Sequence, residues 1–186
     1  MNVALAGVTG WIADFGCGEG IFADLSARYL GLDRDGAWAS RLIRAGKLAA
    51  TADIHYVPLR DSSLGGVLCM NVLGVCDPGN VIAEIDRVLR PGGRAYLKNR
   101  WHKGGGEPRG FLGRLGRALH LHHLRFWNHG LAHQEGRIAW VVNANGTRAI
   151  CPRCVRRFFL QRGYVVDTLS SQVFVLTKPA ALTPPG

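Results

Sequence analysis

The chain has 186 residues, 47% of them apolar, and a formal net charge of +10. That is the length of one domain, 1–186, with enough apolar material for a proper core, and no apolar run approaches the eighteen or so residues that would cross a bilayer. Five scattered cysteines do not make a disulfide framework and no basic stretch precedes the first apolar residues, so a reducing, cytoplasmic setting is expected, with no secretory signal and no membrane partner.

Residues 11–98 alternate strand with helix, the order that builds a parallel sheet with crossover helices. The first strand, Trp11–Phe15, carries Asp14 and runs into a loop with glycines at 16, 18 and 20. Glycine lets such a loop turn sharply and lie against a ligand, and Ile21, Phe22 and Leu25 are spaced as the next helix, whose N-terminus would offer free N–H groups. A dinucleotide loop would place its third glycine one residue later. Tyr29–Leu32 reads as strand two, ending at Asp33. A helix over about 37–48 puts Trp38, Leu42 and Ala45 on one face. Ala49–Ile54 reads as strand three and Gly66–Val72 as a wholly apolar strand four. Asp77-Pro78 starts a helix, with Asp as N-cap and Pro at its first position. Val81, Ile82, Ile85, Val88 and Leu89 form its buried stripe, Pro91-Gly92-Gly93 stops it, and Arg94–Lys98 is strand five. At the far end Arg156–Arg162 reads as a helix closed by Gly163, followed by antiparallel strands Tyr164–Leu169 and Val173–Thr177.

Between these parts lies an insertion, residues 100–155, that opens with Gly104-Gly105-Gly106. Residues 111–127 can be drawn as an amphipathic helix, with Leu112, Leu115, Leu119 and Phe126 opposite Arg114, Arg117 and Arg125. Arg137–Val142 and Thr147–Ile150 read as a hairpin around Asn143-Ala-Asn-Gly146. Residues 98–162 hold 13 of the 23 Lys and Arg, six of the seven His, and only Glu107 and Glu135 as acids, so the segment is +11 and the rest of the chain −1. Charge concentrated in this way points to a polyanionic partner. The same segment suggests a metal: His129 and His133 share a helical face, Cys151 and Cys154 form a knuckle-like pair, and two His with two Cys can hold zinc. Cys151-Pro152 could equally be a helix start.

The string Asp14-Phe-Gly16-Cys17-Gly18-Glu-Gly20 at a strand end resembles motif I of the class I S-adenosylmethionine (SAM) dependent methyltransferases. Val57-Pro-Leu-Arg-Asp-Ser-Ser-Leu64 is similar to a Leu-Pro-Phe-x-Asp-x-Ser-Phe segment of the same family, although the family's Asp at position 66 is here Gly66. Arg87-Val-Leu-Arg-Pro-Gly-Gly93 resembles its signature after strand four. The likeness covers 11–98 and 156–178, about 110 residues. A looser likeness, from Ala52 to Gly93, is to the nucleolar methyltransferases that modify adenine N1 of ribosomal RNA. The resemblance implies a seven-stranded, mostly parallel, doubly wound α/β sheet with a basic, His-rich insertion after strand five.

The resemblance also implies a set of SAM-binding residues. Asp14, Gly16, Cys17, Gly18 and Gly20 would form the loop around the methionine part, with Asp14 orienting it. Asp33, or failing it Asp35, would hold the ribose. Asp53 and Ile54 would face adenine, with Asp61 also near. Asn71 would face the methyl group and the substrate, or simply cap its strand. No catalytic base is required, because methyl transfer asks chiefly for alignment and exclusion of water, and no catalytic residue is assigned. The resulting expectation is a SAM-dependent methyltransferase acting on RNA. Arg117, Arg125, Arg153, Arg156 and Arg157 would meet phosphates, and Trp101, Phe126, Trp127 and Trp140 would stack on bases or pack in the insertion. The alternatives are a small-molecule methyltransferase, or a degenerate module that binds RNA or a partner. A protein partner could supply part of the substrate platform.

Overall fold

The computed structural model describes residues 5, 7–99, 138, 140–142, 148–170 and 173–181. Five parallel strands, β1 (Ile12–Phe15), β2 (Tyr29–Asp33), β3 (Ala49–Thr51), β4 (Leu64–Met70) and β5 (Leu89–Lys98), are joined by β8 (Val165–Ser170) and β9 (Val173–Thr177). The order across the sheet is β3-β2-β1-β4-β5-β9-β8, with β9 antiparallel to both of its neighbours. A separate pair, β6 (Trp140–Val142) and β7 (Arg148–Ile150), is the antiparallel hairpin expected within the insertion. The expected seven-stranded α/β sheet is therefore the observed one.

The central strands are almost wholly apolar, Asp14 of β1 excepted, because both their faces are covered. All of β1 is buried, as is β4 up to Cys69. One face packs on α2 (Pro78–Val88), through Val81, Ile82, Ile85 and Val88, and on α3 (Pro152–Leu160), through Cys154, Val155 and Phe159. The opposite face is covered near β2 by α1 (Gly36–Arg44), through Ala39 and Leu42. Asp77 Oδ1 accepts from the Gly79 and Asn80 amides and caps α2 as its sequence predicts. Gly65 and Gly66 mark where the N-terminal segment crosses β4. A Cβ at Gly65 would lie 1.9 Å from the Thr9 carbonyl oxygen, and one at Gly66 would lie 3.2 Å from both Ile12 and Val8. Arg90 holds that Thr9 carbonyl from the other side, at 2.8 Å. The glycine at 66 thus has a packing reason.

Several elements differ from expectation, among them β5, which begins at Leu89 instead of Arg94 so that α2 ends ahead of Pro91. No helix follows the glycine loop. Only Ile21–Arg28 connect it to β2, and at about 1.5 Å rise per residue eight helical residues would span about 12 Å with no chain left to turn at either end. Linked turns form instead, Gly20 N to Cys17 O, Ala23 N to Gly20 O and Leu25 N to Phe22 O, and Ile21 is exposed. The helix expected over 37–48 ends at Arg44, because Gly46 at φ +75° reverses the chain, and Ala45 is exposed. Strand three ends at Thr51 and strand four at Met70, which releases 52–55 and 71–77 into loops at the carboxyl ends of the strands.

The last helix starts at Pro152 instead of 156, so Cys154 and Val155 belong to the core and the insertion ends near Cys151. Of the two readings open for Cys151-Pro152, the helix start is the one observed. Cys154 is buried in the main core and Cys151 packs against it. His129 and His133 lie outside the described residues, and among the described residues no group of three or more His, Cys, Asp or Glu could hold a metal. The helix drawn over 111–127, with Arg117, Arg125 and Phe126, also lies outside them, as do Trp101 and Trp127. Among the described residues no helix is long and apolar enough to cross a membrane.

Candidate functional site

A cavity of about 290 Å³ opens at the carboxyl ends of the parallel strands, where open α/β sheets bind ligands. Its lining comes from three strand ends: Gly16 after β1, Asp33 and Arg34 after β2, and Ala52–His55 after β3. Met70 and the following Asn71, Val72, Val75 and Cys76 complete it. Of the residues expected to bind cofactor, Gly16, Asp33, Asp53, Ile54 and Asn71 meet here. Gly18 is one bond away, while Asp14, Cys17 and Gly20 lie beneath.

The loop geometry explains this division. Gly16 sits at φ +70°, and a Cβ there would lie 2.6 Å from Val72 Cγ2. The Gly16 and Cys17 amides both donate to the Leu32 carbonyl, at 2.8 and 3.1 Å, which clamps the loop onto the end of β2. The Gly18 amide then donates to Asp33 Oδ2 at 2.9 Å, and the Asp35 amide to Asp33 Oδ1 at 3.0 Å. Asp35 spends its own carboxylate on the Ala37 amide as the N-cap of α1. Asp33 is therefore the carboxylate at the cavity, and Asp35 is committed to the helix. The Cys17 side chain packs against Gly31 and Leu42. Burial, with Asp14 and Asp33 nearby, pushes its thiol up to about 12.

A second carboxylate faces the cavity from the β3 end. Asp53 Oδ1 accepts from the His55 amide at 2.9 Å and from His55 Nδ1 at 2.6 Å, and these bonds hold its carboxyl below the usual range. His55 Nε2 in turn accepts from the Asp77 amide at 2.9 Å, which links the β3 end to the start of α2 through the ring. Asp61 pairs with Arg87, which also donates to the Leu59 and Val57 carbonyls. That network anchors the 57–64 segment to the end of α2, so of Asp53 and Asp61 it is Asp53 that lines the cavity. Asn71 stands at φ +60°, a conformation L-residues seldom adopt, with its amide on the Lys98 carbonyl. The lining roles of His55, Arg34, Val75 and Cys76 had no local sequence signal.

Asp14 lies under the loop, 2% exposed, and accepts from the Tyr29 hydroxyl at 3.0 Å. Burial raises its pKa to about 6, with the Tyr29 bond opposing and Asp33 adding to the rise. A carboxyl raised on folding favours the folded state at low pH, and that advantage is lost as pH climbs through the folded value near 6. Asp14→Asn, which can keep the Tyr29 bond, is therefore expected to stabilise the protein at pH 8 by about 1–3 kcal/mol and to change little at pH 4. Urea unfolding at the two pH values checks this, and equal stability of the two proteins at pH 8 would refute it.

Comparison with known proteins agrees with this geometry. A protein-family profile described as a methyltransferase domain matches residues 13–97. A malonyl-[acyl-carrier protein] O-methyltransferase of Alcanivorax borkumensis is 36% identical over 95 residues, covering 45% of this chain and 32% of that protein. The chain thus spans about a third of that relative's length. A SAM-dependent methyltransferase of Thermotoga maritima superposes with a TM-score of 0.60 at 17% identity, over 95% of this chain and 86% of that one. Another, from Mesorhizobium loti, gives 0.59 at 15% identity, over 95% and 94%. Glycine loop, paired carboxylates and sheet order agree with that match: residues 13–97 match a methyltransferase domain, and the fold is the one seen in SAM-dependent methyltransferase structures.

Proposed function

We propose that the chain binds SAM in the 290 Å³ cavity and transfers its methyl group to an anionic acceptor held by the basic insertion. The observation that carries the reading is Asp33, fixed by two backbone amides at the mouth of the glycine loop. A carboxylate has about four lone-pair sites, so Asp33 can still accept both hydroxyls of a ribose. Asp53 Oδ2 accepts no hydrogen bond among the described residues and suits an exocyclic adenine amine. SAM, when bound, supplies an electrophilic methyl group on a sulfonium. The chain's own part is to hold that methyl in line, with Asn71 and Val72 at the open side of the cavity, and to keep water away.

For the acceptor, charge favours RNA. Arg153, Arg156 and Arg157 fall at i, i+3 and i+4 and so share one face of α3, and they are part of the +11 of residues 98–162. A second reading, a carboxylate on a carrier-bound acyl group, is favoured by the Alcanivorax borkumensis relative. The departure at Gly66, which would favour a degenerate module, falls where a Cβ would come within 3.2 Å of Ile12 and Val8. Labelled methyl transfer from SAM, offered total RNA in one reaction and malonylated carrier protein in another, decides between them. Label in RNA that falls steeply with salt supports the first reading; label on the carrier alone replaces it with the second. Label in neither, with SAM bound, removes both acceptors.

A further inference from the structure

The insertion and the cavity share a wall. Residues 71–77 supply Asn71, Val72, Val75 and Cys76 to the lining. This segment has little internal bonding beyond the turn from Val75 N to Val72 O, and it is held chiefly by what surrounds it. On one side the Asp77 amide donates to His55. On the other, the Arg148 amide donates to the Gly74 carbonyl at 2.7 Å and its guanidinium Nη1 to the Cys76 carbonyl at 2.6 Å. Arg148 opens β7 of the insertion hairpin, and the hairpin itself is rooted in the main core by Ile138 and Ile150. The seat is close: a Cβ at Gly74 would come within 3.3 Å of the Arg148 carbonyl and 3.6 Å of Asn99 Oδ1.

From this we infer that Arg148 is a positioning residue for cofactor binding, tying the substrate-bearing insertion to the wall of the cofactor cavity. Arg148 does not itself line the cavity. Its two carbonyl contacts hold the 71–77 wall in the arrangement that closes the cavity, so the hairpin's seat sets the fraction of molecules competent to bind. The coupling runs both ways: a ligand in the cavity steadies the hairpin as much as the hairpin steadies the cavity. The inference rests on the SAM reading above.

The test is calorimetric titration of the full chain with SAM, as wild type, Arg148→Met, Arg148→Lys and Gly74→Val. Arg162→Met, a surface change at the end of α3 beside Asp86, is the control. Arg148→Met is expected to bind SAM roughly tenfold more weakly, Arg148→Lys to recover part of the loss, and Arg162→Met to match wild type. Amide hydrogen exchange across 71–77 is expected to quicken in Arg148→Met and to slow again at saturating SAM, which a general loss of stability would not do. Should Arg148→Met fail to fold, Gly74→Val carries the same expectation by displacing the hairpin with Arg148 intact. Wild-type affinity in Arg148→Met, or in Gly74→Val if that variant has to stand in, overturns the inference alone. A wild type that binds no SAM overturns the cofactor reading and this inference with it.

Discussion

Asp33→Ala is expected to weaken SAM binding by about 100-fold or more. The carboxylate is the acceptor for the Gly18 amide at 2.9 Å and the Asp35 amide at 3.0 Å, so its loss removes three things together. The proposed ribose acceptor goes, the glycine loop loses one of its ties to β2, and the turn into α1 loses its pin. Hydrogen bonds to a charged group are each worth about 1.5–3 kcal/mol, and two directed at ribose hydroxyls account for the hundredfold. A smaller fall in stability, about 1–2 kcal/mol, should accompany it. Asp33→Asn keeps one acceptor and should fall between. Calorimetry of the three proteins checks the order; an alanine variant within threefold of wild type would move the ribose site elsewhere.

Gly16→Ala should be damaging out of proportion to its one added methyl group. The residue stands at φ +70°, which costs a side chain about 1–2 kcal/mol. Its Cβ would also lie 2.6 and 3.2 Å from the two methyls of Val72, a side chain stiff at χ1 that cannot swing aside easily. We expect a loss of about 2–4 kcal/mol in stability and a cavity deformed on the Val72 side. Adding Val72→Ala should return the steric part, about 1–2 kcal/mol, and leave the backbone strain. Urea unfolding of both single variants and the double gives the coupling directly. Strict additivity would show that the Gly16–Val72 contact is not what demands glycine.

What could be read in the sequence follows from the range of the interactions involved. The buried strands announced themselves by composition, and α2 by Asp77-Pro78, because apolar runs and helix caps are local facts. Asp33 was legible for the same reason: it stands at the end of a strand whose length the sequence displays. The turns after Gly20 were misread as a helix, since Ile21, Phe22 and Leu25 fit a helical spacing and only the distance to β2 forbids it. The sequence already preferred Asp33 to Asp35 and Asp53 to Asp61; the structure adds where the less favoured acids are engaged. Each rejected acid is spoken for by a partner, the Ala37 amide in one case and Arg87 in the other. His55 and Arg148 were invisible because their partners, Asp77 and Cys76, lie 22 and 72 residues away.

The path of the chain around the insertion bears on how such a protein can change over evolutionary time. The chain leaves the sheet at buried Asn99 and rejoins the main core at buried Ile138, so the points of departure and return are both fixed by a core that the cofactor cavity needs anyway. Between fixed ends, doubling a loop costs only about 0.6 kcal/mol in closure entropy. Length, charge and sequence in that stretch can therefore drift or be exchanged wholesale at little thermodynamic expense. The joint that must be conserved through such exchanges is small: a glycine at 74 and a donor able to reach the carbonyls beside it.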